Sequence, residues 1–238
     1  MKRAGKPLDL GGEVTDDAFL GGQLAILQPR QGYRAGIDAV LLAATVPPGE
    51  GPLTVLDAGA GVGTVGLAVA RRVAGARIVL LEAEPAMARL AGENIARNDL
   101  ASRVTMAQGD LLAPAAELQR LGVGADCFEQ VLVNPPYHAE GRGTPAGDAA
   151  KARANAMAES DLEQWLRAVA RVTAPGGTAT FIHKAEAIGA LLAAMSGRLG
   201  AIRVLPIHPR EGQPAHRVIV SGVKGSRAPL KLLAGFVL

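Results

Sequence analysis

Short apolar runs alternate with longer stretches of helical periodicity through the middle of the chain, the order expected of strands joined by crossover helices. Leu53-Thr54-Val55-Leu56-Asp57 is the first clear strand, preceded by the breaker Pro47-Pro48-Gly49-Glu50-Gly51-Pro52. After the turn Ala58-Gly59-Ala60-Gly61-Val62-Gly63 an apolar helix is expected from about Thr64 to Val73. Arg77 to Leu81 reads as a second strand ending at Glu82, and Pro85 suits the first position of a helix running to about Asn98. Val104 to Gln108 gives a third strand ending at Gly109-Asp110, followed by a helix to Leu121. Phe128 to Val133 gives a fourth, which stops at Asn134-Pro135-Pro136-Tyr137. Ala139 to Ala158, rich in Gly, Ala, Arg and Lys, reads as a mobile loop beside Asn134.

A helix over Asp161 to Val172 follows, then the breaker Ala174-Pro175-Gly176-Gly177, a fifth strand Thr178 to Ile182 and a helix from Glu186 to Leu199. Ile202 to Pro206 and Arg217 to Val223 alternate apolar residues as a closing hairpin would. With only a loop between them, these last two strands should pair antiparallel, whereas the earlier strands have crossovers long enough for parallel pairing. The expected fold is α/β: a Rossmann-like, mostly parallel sheet with one antiparallel strand, helices on both faces and a short N-terminal extension.

Composition narrows the classes without changing that fold. The 238 residues suit one α/β domain with additions, and 49% hydrophobic against 20% charged residues excludes disorder of the whole chain. The single cysteine, Cys127, begins a strand that reads as buried; it excludes an internal disulfide framework and fits a reducing compartment. No apolar run approaches the roughly 18 residues of a membrane span, and no secretory signal follows the basic start, so a cytoplasmic location is expected. The net charge of +3 permits an anionic partner such as RNA, although aromatics at 3% leave no room for broad stacking platforms.

The candidate chemistry sits at the ends of successive strands. Asp57 to Gly63 spaces its glycines as G-x-G-x-G behind an acid, unlike the G-x-G-x-x-G of dinucleotide sites, which favours a ligand whose amino-acid end lies on the turn. Glu82, or Glu84 two residues on, could accept hydrogen bonds from ribose hydroxyls; Glu82 is preferred because it ends the strand itself. Asp110 could accept from an adenine amino group. In Asn134-Pro135-Pro136-Tyr137 two prolines fix the backbone and remove N–H donors. The Asn134 side-chain carbonyl and the Pro135 carbonyl can then accept both hydrogens of a planar NH2 group, with Tyr137 offering a ring face to a flat base. His138, His183, His208 and His216 give no metal-ligand spacing, so no metal is expected.

Taken together, the Asp57 to Gly63 turn, Glu82, Asp110 and Asn134 to Tyr137 resemble the successive motifs of class I S-adenosylmethionine-dependent methyltransferases of the amino-methylating branch, over roughly Leu53 to Ile182. The resemblance implies a seven-stranded sheet of order 3-2-1-4-5-7-6 and S-adenosyl-L-methionine as cofactor. It also implies Asp57, Gly59 and Gly61 along the methionine and ribose, Glu82 on the ribose hydroxyls, Asp110 by the adenine, and Asn134, Pro135, Pro136 and Tyr137 as catalytic residues, with Asn134 also beside the cofactor. Gly32 to Leu42 is similar to the segment that precedes the first strand in bacterial tRNA adenine-N6 methyltransferases and closes over the cofactor there. Tyr33, Gly36 and Asp38 are thereby implied as cofactor contacts, residues 1–50 as the closing extension and 51–238 as the catalytic domain. Ala215 to Val220 resembles the closing strand of those enzymes.

The expected activity is therefore N6-methylation of an adenine in RNA, a tRNA beside the anticodon, with Arg30, Arg34, Arg142, Lys151 and Arg153 as a basic rim for the RNA, joined by Arg210 and Arg217 from the tail. The same tetrapeptide resembles that of enzymes methylating release-factor glutamine or ribosomal RNA bases, since each acceptor presents a planar NH2. A nucleotide-binding regulatory module is the non-enzymatic alternative, and it would have no need of Asn134 to Tyr137. The lone Trp165, on an apolar helical face with Leu162, Leu166 and Val169, reads as core.

Overall fold

The computed structural model describes residues 14–31, 34–135 and 161–238. The chain opens with a hairpin, β1 (Val14–Phe19) and β2 (Leu24–Pro29), followed by α1 (Ile37–Ala44). Then come β3 (Leu53–Ala58), α2 (Thr64–Arg72), β4 (Ala76–Glu82), α3 (Pro85–Arg97), β5 (Val104–Gln108), α4 (Ala115–Arg120) and β6 (Phe128–Val133). Residues 161–172 are helical and form α5. β7 (Thr173–Lys184), α6 (Ile188–Met195), β8 (Leu199–His208), β9 (Arg217–Lys224) and the two-residue strands β10 (Lys231–Leu232) and β11 (Phe236–Val237) complete the order.

The main sheet runs β10-β8-β9-β7-β6-β3-β4-β5, with β11 also on β8. From β5 to β8 this is the expected order 3-2-1-4-5-7-6, and β9 is the antiparallel strand, paired that way to both β7 and β8. Side chains alternate between two layers. Val55, Ile78, Leu80 and Leu132 pack with helices α1 to α3 in one core, whereas Leu56, Leu81, Val131 and Val133 pack with α4 to α6 in the other. Asp57, Glu82 and Asn134 continue the first series, so all three lie on the α1–α3 face at the carboxyl edge.

The structure corrects the sequence expectations at four places. β7 begins at Thr173 rather than Thr178, because Phe128 pairs with Thr173 and Gln130 with Thr178, and residues 174–177 bulge out opposite Glu129 without ending the pairing. The helix expected to Leu199 stops at Met195, and Leu199 already belongs to β8. The sheet has nine strands rather than seven because β10 and β11 add to the outer edge of β8. Cys127 is exposed rather than buried in the β6 strand. The segment Ala139 to Ala158 lies outside the described residues.

The N-terminal hairpin was not foreseen as strands, and it is held in an unusual way. The free edge of β2 is paired by side chains of α3 instead of by another strand. Asn94 Oδ1 accepts from the Leu27 N–H at 2.8 Å while its Nδ2 donates to the Leu27 carbonyl at 2.9 Å. One helical turn on, Asn98 repeats the pattern with Ala25, at 3.0 and 2.9 Å. Asn94 Nδ2 also donates to the Val62 carbonyl at 3.0 Å, inside the glycine-rich turn. A wholly buried amide thus joins the hairpin, α3 and that turn. Asn94→Ala should leave the two Leu27 backbone groups and the Val62 carbonyl without this partner, at about 1–3 kcal/mol for each buried group left unsatisfied. We expect a drop of several degrees in Tm by thermal unfolding, while Arg89→Ala, in an exposed pair with Glu93, changes Tm by less than about a degree.

Candidate active site

β3 delivers Asp57 and then the turn residues 59–63. Gly59 and Gly61 both adopt the left-handed region, with φ of 71° and 57°. A side chain on Gly59 would also collide with the ring of Trp165, its Cβ falling 2.9 Å from Cη2. At Gly61 a Cβ would meet nothing within 4 Å. One glycine is therefore closed off by packing, and the other faces open space.

The buried Asp57 does not face that space. Its Oδ2 accepts from the Gly66 N–H in α2 at 2.8 Å, and only 1% of the residue is exposed. Burial pushes its carboxyl up to about 7, with the Gly66 N–H acting against the shift and the nearby Glu82 charge adding to it. Asp57 sets the start of α2 against β3.

Glu82 is half-buried at the end of β4. Its Oε2 accepts from the Gly61 N–H at 2.7 Å and its Oε1 from the Glu84 N–H at 2.8 Å. A carboxylate has about four acceptor positions, so each oxygen retains capacity for another donor. The Glu82 carbonyl accepts from Gly109 N–H at 2.9 Å, which brings Asp110 alongside. Asp110 is exposed; its Oδ1 accepts from the Leu112 N–H at 2.9 Å. Asn134 is buried at the end of β6, whose Val133 pairs with Phe181 of β7. The structure thus gathers Gly59, Gly61, Glu82, Asp110, Asn134 and Pro135 along one sheet edge, with Asp57 beneath them.

The flanking residues have other commitments. Arg34 donates to Thr15, the Pro29 carbonyl and Asp17 at 2.7–2.8 Å, which ties its guanidinium into the hairpin rather than leaving it open to a phosphate. Hydrogen bonds from Thr15 and Gln28, with Arg34, hold the Asp17 carboxyl below its ordinary range. Gln28 Oε1 accepts from the Ala35 N–H at 2.9 Å. Asp38, in the first turn of α1, pairs with Arg217 Nε at 3.0 Å, and Gly36 precedes the helix as its N-cap. Tyr33, Pro136, Tyr137, Arg142, Lys151 and Arg153 lie outside the described residues.

Trp165 packs on the α4–α6 core, as expected, but its ring also reaches the turn at Gly59. Helical periodicity signals the first contact; nothing in the sequence signals the second. Among the described residues no group of three or more His, Cys, Asp and Glu could hold a metal, and no helix is long and apolar enough to cross a membrane.

Comparison with known proteins gives the family. The family model of the methyltransferase small domain matches residues 36–166. The chain belongs to that methyltransferase family. Among its curated relatives, a tRNA1(Val) (adenine(37)-N6)-methyltransferase of Shewanella loihica is 32% identical over 80% of this chain and 77% of its own. A release factor glutamine methyltransferase of Moorella thermoacetica is 35% identical, but over 48% of this methyltransferase and 36% of its own length. Among solved structures, a predicted O-methyltransferase from Agrobacterium tumefaciens superposes with a TM-score of 0.70 at 29% identity, covering 84% of this chain and 86% of that one.

Burial of Asp57 makes a prediction about pH. Its folded value is raised, so the folded state holds the proton more tightly than the unfolded state, and this group's contribution to stability falls as pH rises from about 4 to about 7. Asp57→Asn removes that titration. The Tm of the variant minus that of the methyltransferase should rise between pH 5 and pH 8, by about 2–4 °C for each kcal/mol that the buried charge costs. A difference independent of pH would show that Asp57 does not titrate in this window.

Proposed function

We propose that this methyltransferase transfers the methyl group of S-adenosyl-L-methionine to the exocyclic N6 amine of an adenine in RNA, in a tRNA next to the anticodon. The observation that carries the reading is the position of Asn134-Pro135 at the β6 end, on the same sheet face as Glu82 and beside the open glycine turn. Relatives named for this reaction that align over about four-fifths of the chain support it.

The residues present fit the cofactor. Gly61 leaves room for close approach, the spare acceptor positions of Glu82 suit two ribose hydroxyls, and exposed Asp110 can accept from an adenine amine. Asp57 acts behind them by fixing α2 to the turn. When bound, S-adenosyl-L-methionine supplies a methyl group on a positively charged sulfur, already electrophilic enough to need no metal. The task of the chain is then orientation, which can lower a barrier by roughly 7–11 kcal/mol when two reactants are held in line. Asn134 and the Pro135 carbonyl accept the two N–H groups of the acceptor and aim the nitrogen lone pair. Holding both hydrogens favours the pyramidal geometry in which the new N–C bond forms. The nitrogen then loses one proton to water, so no side chain need act as a base. In this proposal Arg30, Arg142, Lys151 and Arg153 contact the RNA, while Arg34 braces the hairpin.

The release factor relative keeps a second acceptor in view, because a glutamine amide presents the same planar NH2. Labelled S-adenosyl-L-methionine offered separately to unmodified tRNA, ribosomal RNA and release factors distinguishes them. We expect label in tRNA that digests to N6-methyladenosine. Label in protein would move the acceptor to glutamine, and a 2′-O-methyl nucleoside would move it to a hydroxyl. Asn134→Ala should lower kcat at least about 100-fold with cofactor Kd changed less than about threefold. Glu82→Gln should do the reverse, raising cofactor Kd about tenfold or more, as expected for a charged hydrogen-bond acceptor.

A further inference from the structure

Asp38 and Arg217 are 179 positions apart, yet they form one ion pair at 3.0 Å, with side chains 18% and 33% exposed. Arg217 begins β9 and pairs in register with Lys184 at the carboxyl end of β7, the strand beside Asn134's own. Ile219 of β9 and Ile182 of β7 are register partners in the α1–α3 core, so Arg217, two residues earlier, lies on that same face. This is the face that carries Glu82 and Asn134. Arg217 also donates to its neighbour's carbonyl, at His216, at 3.1 Å, which restricts the guanidinium.

The other end of the contact is equally well fixed. The Arg34 guanidinium and the Ala35 N–H are held by Asp17, Thr15 and Gln28 of the hairpin. The hairpin is held in turn by Asn94 and Asn98. Residues 34–38 therefore form a strap anchored to the hairpin at one end and to the closing strand at the other. Among the described residues no side chain caps the start of α1, and Arg217 ties its first turn through Asp38.

We propose that Asp38 and Arg217 are positioning residues that hold this strap and the first turn of α1 along the cofactor side of the sheet edge. Asp38 then acts on the cofactor through α1 rather than by touching it, in contrast to the contact that sequence resemblance implies. The inference rests on the methyl-donor site proposed above but not on the identity of the acceptor.

A double-mutant cycle on the full chain tests it. Asp38→Asn and Arg217→Gln should each raise the calorimetric Kd for S-adenosyl-L-methionine by about fivefold, the upper range for a half-exposed pair. The double variant should be no weaker than either single, and Arg217→Lys should stay within about twofold of the unaltered chain. Additive effects, or an unchanged Kd alongside a lowered Tm, would overturn the proposal: the first means direct contact by Asp38, the second a tie that serves only the fold. Hydrogen exchange of the Ala39 to Leu42 amides, the first of which donates to the Gly36 carbonyl, gives in the ligand-free protein a second reading, independent of any donor. Arg217→Gln should cut their protection, and undiminished protection overturns the clasp even if the donor reading itself fails.

Discussion

Three strand-to-helix turns meet at Glu82. Its carboxylate takes the Gly61 N–H of the β3–α2 turn and the Glu84 N–H of its own β4–α3 turn, while its carbonyl takes the Gly109 N–H after β5. Parallel pairing of β3, β4 and β5 brings the turns to one edge, but pairing alone leaves each free to choose its own conformation. A single residue bonded to all three fixes their mutual spacing. The glycine turn and the Asp110 end of the site are consequently one rigid unit, built before any ligand arrives. Behind it stand two more buried polar groups, Asp57 on the start of α2 and Asn94 on the Val62 carbonyl. Each links the turn to a helix on the same face.

That construction has a thermodynamic cost. Asp57 is pushed up to about 7 because water is excluded, so at neutral pH part of its population carries a charge that the interior disfavours. An amide of the same shape could still accept from Gly66 without that penalty. What the carboxylate fixes in exchange is the seat of α2 behind the glycine turn, through the Gly66 N–H. The closing of Gly59 by Trp165 is a similar trade. A packed indole excludes any side chain at Gly59 and in exchange backs the turn at that position.

The periodic centre of the sheet was legible residue by residue. β5 and β6 fall on Val104–Gln108 and Phe128–Val133 as read, because short apolar runs bounded by Gly, Asp and Pro admit few other boundaries. The breaker Ala174-Pro175-Gly176-Gly177 misled, since a bulge opposite Glu129 lets turn-forming residues sit inside a paired strand. The hairpin was opaque for a different reason. The partners of β2 are two amides on a helix some 70 positions away, and strand patterns carry no sign of such pairing. At the site, residue types revealed which acids and glycines gather, but not which way each faces. Asp57 turns inward to α2, Asp38 outward to Arg217, and Arg34 back to Asp17, and all three are decided by long-range neighbours.

In the proposed reading, Asn134 and Pro135 alone do not specify the acceptor. Two carbonyl acceptors hold a planar NH2 whether it belongs to a base or to a glutamine, and the relatives divide accordingly. The glutamine methyltransferase aligns over 48% of this chain, the tRNA adenine methyltransferase over 80%. What distinguishes the acceptors must therefore reside outside the amine clamp, in parts that shape the approach to it. The hairpin and α1 precede the β3–α2 turn in the chain, the β8–β9 pair closes the sheet, and Asp38 with Arg217 joins α1 to β9. In the proposed reading, which NH2 group comes within reach of Asn134 depends on how these elements frame the edge as well as on the two carbonyls.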